Sequence, residues 1–141
     1  MEEIVLGIDY GTARIGVAVS DALGMLAHPL EAVPAGAAAF TRIAELARAR
    51  GAARIVVGLP RNMNGSEGGS AAAAREFAAK LGETTGLPIL LRDERLSTVA
   101  AQRMLHDAGM DAKKSKKHID AAAAQIILQT YLDGLAFDKQ G

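Results

Sequence analysis

The chain has 141 residues, no cysteine, 16 basic and 16 acidic side chains, and a formal net charge of zero. That length suits one domain over 1–141 with a single core; the missing cysteines exclude a disulfide scaffold and a thiolate zinc site. Balanced charge excludes a molecule-wide field that would steer the chain to nucleic acid or an anionic membrane, so either partner has to be read from a local patch. No apolar stretch approaches the ~20 residues of a membrane span, and Met1-Glu2-Glu3 lacks the basic start of a signal peptide, so a cytoplasmic location is expected and no membrane partner.

Ile4 to Ile8 read as a buried strand, because a short apolar run rich in branched residues and stopped by a turn is the mark of a central strand. The Gly11-Thr12 turn leads to a second strand, Arg14 to Ser20, with Ile15, Val17 and Val19 on one face and Gly16, Ala18 and Ser20 on the other. After a turn over 21–24, Met25 to Val33 form a third strand, which gives an antiparallel meander. Phe40, Ile43, Ala44 and Ala47 then recur at helical spacing, predicting a helix over 36–50 ended by Gly51. Arg54 to Val57 form a strand, and the polar loop RNMNGSEGGS follows. Ala73, Phe77 and Leu81 mark a second helix, Leu87 to Leu91 a fifth strand, and Val99 to Ala108 a third helix. KKSKKH is a basic loop before a fourth helix, HIDAAAAQIILQTYLDG, closed by Gly134. The expected fold is α/β, a mixed five-stranded sheet of a three-strand antiparallel meander plus two parallel strands, flanked by about four helices.

Three carboxylates stand where a solvated charge is out of place. Asp9 ends the apolar run of the central strand, Glu94 follows the fifth strand within a few residues, and Asp120 begins the stripe Ala124, Ile127, Tyr131 that packs on the sheet. Each has a bland alternative: Asp9 as a turn cap, Glu94 paired with Arg92 or Arg95, and Asp120 favouring the positive end of a helix dipole. Together they would repel one another unless a cation neutralised them. Mg2+ or Mn2+ suits such oxygen donors, and two ions could serve phosphodiester hydrolysis, with Asp9 bridging them.

Lys113, Lys114, Lys116 and Lys117 precede Asp120 and supply a local basic patch where a phosphate backbone would run; a mobile solvated loop is the alternative. Asn62 and the amides of its glycine-rich loop could touch a nucleic-acid strand at the sheet's edge, and His118 could donate to a phosphate or leaving group or simply cap its helix. The loop is not a Walker loop, because the GK[ST] ending is absent.

GIDYGTARIGVAVSD, VVGLPRNMNGSEG, DERLST and KKSKKHIDAAAA, in that order, resemble the YqgF-type (RuvX) family of the RNase H-like superfamily, Holliday-junction-resolvase-like proteins linked to pre-16S ribosomal RNA processing. The resemblance covers nearly the whole chain and implies an RNase H-like fold with acidic metal ligands at Asp9, Glu94 and Asp120. It further implies phosphodiester hydrolysis at the 5′ end of the small-subunit RNA, with branched DNA such as Holliday junctions as a second substrate. Ala13 stands where the family commonly has lysine and Asn64 where it has aspartate, and Asp93 is the nearest candidate for a fourth carboxylate. Arg14 and Arg95 are candidate supports for the substrate. Monomer and homodimer both remain open, since a junction needs two cuts and a single strand one. The alternative is a non-catalytic nucleic-acid-binding module of the same fold. An ATP-binding relative of actin and sugar kinases is the further rival, but those normally enclose the nucleotide between two such domains.

Overall fold

The computed structural model describes residues 3–59, 68–93 and 112–140, with the backbone alone at 70, 112–120 and 136–140. Its elements are β1 (Ile4–Asp9), β2 (Arg14–Ser20), β3 (Ala27–Pro34), α1 (Ala37–Arg50), β4 (Ala52–Leu59), α2 (Gly69–Thr85), β5 (Ile89–Asp93) and α3 (Ala112–Gln140). The strands form one mixed sheet in the order β3-β2-β1-β4-β5. β2 runs antiparallel to both β1 and β3, while β4 is parallel to both β1 and β5. β1 is therefore central, as its unbroken apolar run predicts.

Both faces of the sheet are covered. Leu6, Ile8, Val17 and Val57 point to one side and pack with Ile43 of α1 and Phe77 and Leu81 of α2. Val5, Ala18 and Val56 point to the other and pack with Ala124, Ile127 and Leu128 of α3. The alternation along β1 thus assigns odd residues to the α3 face and even ones to the α1/α2 face.

β4 runs longer than the expected Arg54 to Val57 and β5 starts two residues later than Leu87, and three further differences from the pattern-based expectation have a local reason. β3 begins at Ala27 rather than Met25, because the Asp21 carboxylate accepts hydrogen bonds from the amides of Met25 and Leu26, at 2.9 and 3.3 Å, and holds them in the turn. The lysine run is not a loop: Lys113 to Lys117 lie in the first turns of α3, where lysine and alanine are good helix formers and no glycine or proline intervenes. Gly134 does not close the last helix, which continues to Gln140. A Cβ there would come 3.3 Å from the Arg92 guanidinium, so the glycine makes room for an arginine from β5. Gly51, by contrast, does end α1, with φ of 69° and its N–H bonded back to Arg48. Three helices lie among the described residues; the expected helix over 99–108 falls outside them, as do Glu94, Arg95 and Asn62.

Candidate active site

Asp9 closes β1 at the carboxyl end of the central strand and is only 4 % exposed. Among the described residues it is the one charged side chain in the buried class, and Ser20 its only polar companion there. Ser20 has a structural task, since its hydroxyl accepts the Val5 amide at 2.8 Å. A buried carboxylate at the C-terminal rim of parallel strands occupies the position where open α/β sheets bind ligands. Its local fold depends on Gly11, because a Cβ at that residue would collide with the Arg14 carbonyl oxygen. The β1–β2 turn can therefore close directly after Asp9 and Tyr10.

The direction of α3 brings a second acidic position to the same rim. Tyr131 lies over the amino end of the sheet, where its hydroxyl accepts from Arg54 at 3.2 Å, and Arg54 also pairs with Glu3 at 2.6 Å. The bond to Tyr131 holds the Arg54 guanidinium above the ordinary arginine range, against the opposing effect of partial burial. Gln129 and Gln125 clamp Ala27 at that end, the first accepting its N–H at 2.8 Å and the second donating to its carbonyl at 3.0 Å. Farther along, Ala124 and Leu128 cross Gly7, where a Cβ would come 2.6 Å from Leu128 Cβ and 3.0 Å from the Ala124 carbonyl. α3 therefore runs antiparallel to β1. One turn before Ala124 is Asp120; four helical residues advance about 6 Å, close to the two strand residues from Gly7 to Asp9. α3 covers the face of the sheet to which Asp9 belongs, and by these rises its course runs from Gly7 toward the Asp9 end as it approaches position 120.

The other candidates divide by register. Asp9 pairs with Gly16, so Arg14 is its diagonal neighbour on the same face, at about 7–8 Å between Cα atoms. Asp93 pairs with Leu59, which packs with Ala71 and Ala74 of α2, so the register sets Asp93 on the face opposite Asp9. Glu94 directly follows it, outside the described residues. Lys113, Lys114, Lys116, Lys117 and His118 lie on the α3 backbone within the two turns before Asp120. Among the described residues no group of three or more His, Cys, Asp or Glu side chains assembles a metal site. Asp9 nonetheless offers what a hard divalent ion needs, a carboxylate already drawn out of water. Gly7 is the position that sequence reasoning missed. Its signal was a glycine inside a strand of valine, leucine and isoleucine, which marks a close approach of another backbone.

Residues 3–134 match the family described as RuvX: Holliday junction resolvase. A protein of Lactococcus lactis subsp. cremoris (strain MG1363) named "Putative pre-16S rRNA nuclease" is 45 % identical over 136 residues, covering 94 % of this chain and 95 % of its own. A protein of the same name from Geobacillus kaustophilus is 49 % identical over 132 residues, covering 91 % and 96 %. Among solved structures, Thermus thermophilus RuvC superposes with a TM-score of 0.54 at 17 % identity, over 94 % of this chain and 96 % of that one. RuvC of the same organism in complex with a Holliday junction substrate gives 0.51 at 18 %, over 94 % of both. The sheet order and helix placement are those of the RNase H-like fold.

Proposed function

The chain belongs to the RuvX, Holliday junction resolvase, family, and from that membership we propose a metal-dependent nuclease, one domain over the whole chain, whose catalytic centre is built on Asp9, Glu94 and Asp120. The buried Asp9 carboxylate at the carboxyl end of the central strand carries this reading. A carboxylate held out of water at the carboxyl ends of parallel strands is a hard oxygen donor where a divalent cation would sit. The ligands fit Mg2+ or Mn2+, and a pair of such ions would activate the attacking water and stabilise the leaving oxygen of a phosphodiester.

The protein's own part is orientation and charge. β1 lies between two hydrogen-bonded strands and pairs Asp9 with Gly16, and α3, seated on Gly7, would bring Asp120 toward the same rim. Arg14, diagonal to Asp9, supplies a cation to the substrate phosphate, with Arg95 and Asn62 as further contacts and His118 as an auxiliary; Asp93, on the opposite face of the sheet, is left out of the centre. Four lysines in the first turns of a helix face an unfavourable helix dipole, and a phosphate backbone relieves that repulsion. The substrate is nucleic acid. By the names of its relatives it is precursor 16S ribosomal RNA, with branched DNA second, and we place the cut in the 5′ region of that RNA. One copy suffices to cut a single strand of RNA, and a homodimer would be needed to cut a junction on both sides.

The test is cleavage of a precursor RNA leader and of a four-way DNA junction with Mg2+, Mn2+ or chelator, beside Asp9→Asn. Metal-dependent cleavage lost in a folded Asp9→Asn is the expected result. Tight binding with no cleavage, indifferent to metal and to the substitution, would instead mark a non-catalytic binding module.

A further inference from the structure

We infer that the pocket on the side of β1 opposite Asp9 receives one unstacked nucleobase of the strand whose phosphate lies at Asp9. This inference rests on the nuclease reading for the phosphate, and on the following geometry for the base.

Tyr10, the residue after Asp9, projects to the α1/α2 face and packs on that core. It forms one wall of a cavity of about 240 Å³ whose other walls include Phe40, Phe77, Ala73 and Gly36. That volume falls below the range of drug-sized ligand sites, ~300–1,000 Å³, and suits a flat group the size of one base. Three aromatic rings line it in sequence: Tyr10 and Phe77 have centroids 4.7 Å apart, and Phe40 and Phe77 5.1 Å. Phe77 is buried and forms the floor, while Tyr10 and Phe40 are half-buried. Unpaired RNA bases are held in this way, by stacking against aromatic side chains.

The rim adds polar recognition. Glu76 and Lys80, one turn apart on α2 and 3.7 Å from each other, place an acceptor and a cation at the cavity's edge. A base edge offers both donors and acceptors to such a pair. Gly36 lies at the mouth with a φ of 133°, a conformation that suits glycine, and the space beside it is open. The cavity also lies at the correct end of the sheet. Tyr10 follows β1, Ile15 is near the start of antiparallel β2, and Gly36 follows β3, all at the rim that carries Asp9. Adjacent Cα atoms are 3.8 Å apart. One strand crossing that rim can therefore leave a phosphate on the Asp9 side and turn a neighbouring base into the aromatic side.

The test is an abasic scan. A short single-stranded RNA with one abasic site moved along it is bound to folded Asp9→Asn protein, and the affinity is read by anisotropy. One position is expected to weaken binding about tenfold, the size of a lost base–aromatic stack. Ala73→Leu, which fills the cavity from a helical position, should abolish that positional effect, and Ala73→Ser should keep it. A flat scan, or a positional effect that survives Ala73→Leu, overturns the inference. A flat scan with metal-dependent cleavage by the unsubstituted protein removes the pocket and spares the nuclease. Position-dependent binding without cleavage under any metal supports the pocket and removes the nuclease.

Discussion

At the scale of single residues, two sites show how position sets consequence. Gly7 is covered so closely by Leu128 and Ala124 that no side chain fits without moving α3. Gly7→Ala is expected to destabilise the fold by about 1–3 kcal/mol through overpacking. Thermal unfolding followed by circular dichroism should show the fall in Tm, and activity should fall further than stability alone accounts for, since α3 also carries Asp120. Glu31 accepts two hydrogen bonds from Arg42, at 2.7 and 2.9 Å, tying β3 to α1. That fork holds the Glu31 carboxyl below its ordinary value of 4.5, against a small opposing effect of burial. A lowered folded-state value means stabilisation that is present above about pH 4.5 and lost as the pH falls through the lowered value. Because both partners are partly exposed, at 33 % and 45 %, solvent screening keeps the contribution small. The Tm difference between the unsubstituted protein and Glu31→Gln should be largest at neutral pH and low salt, and should vanish in acid.

At the scale of elements, α3 is the most consequential. It runs 29 residues, about 43 Å, and is fixed at its middle by Gln125, Gln129 and Tyr131. Gly134 sits inside this helix at a cost in helix propensity of about 1 kcal/mol relative to alanine. The group that a Cβ would meet is the flexible end of Arg92. Gly134→Ala is therefore expected to raise stability by up to about 1 kcal/mol, measurable by urea denaturation, and a loss would mean that the guanidinium cannot yield. The lysines at the other end act by charge. Replacing Lys113, Lys114, Lys116 and Lys117 with alanine should flatten the dependence of RNA affinity on salt by several units of slope if each meets a phosphate, roughly 0.7 per contact for a single strand. An unchanged slope would remove them from the interface.

At the scale of the whole molecule, a net charge of zero conceals a division of labour. Arg14 neighbours Asp9 by register, and the four lysine positions precede Asp120 on the α3 backbone. Nucleic-acid binding here is expected to be governed by that local field, so substitutions on the distant α1 surface, such as Arg48→Ala, should leave the salt dependence unchanged. Among the described residues no helix is long and apolar enough to cross a membrane.

The strands, their order of appearance, α1 with its Gly51 stop and the singling out of Asp9 were legible in the sequence. Each follows from local pattern: apolar runs, period, turn residues, and a charge where a hydrophobe belongs. The end of α3 was not legible, because Gly134 is a terminator by propensity, and only the arginine arriving from β5 explains a glycine inside the helix. Likewise the start of β3 was hidden, since the Asp21 carboxylate captures two amides that strand pattern alone assigns to the sheet. Which face of the sheet each acid occupies was also beyond local pattern. Register sets Asp93 beside Leu59 and away from Asp9, and the crossing over Gly7 sets α3 on the Asp9 face of the sheet. The sequence by itself determined which residues are chemically out of place. The tertiary structure decided which of them meet, because strand pairing and helix crossing join residues more than a hundred positions apart, a distance over which no periodicity carries information.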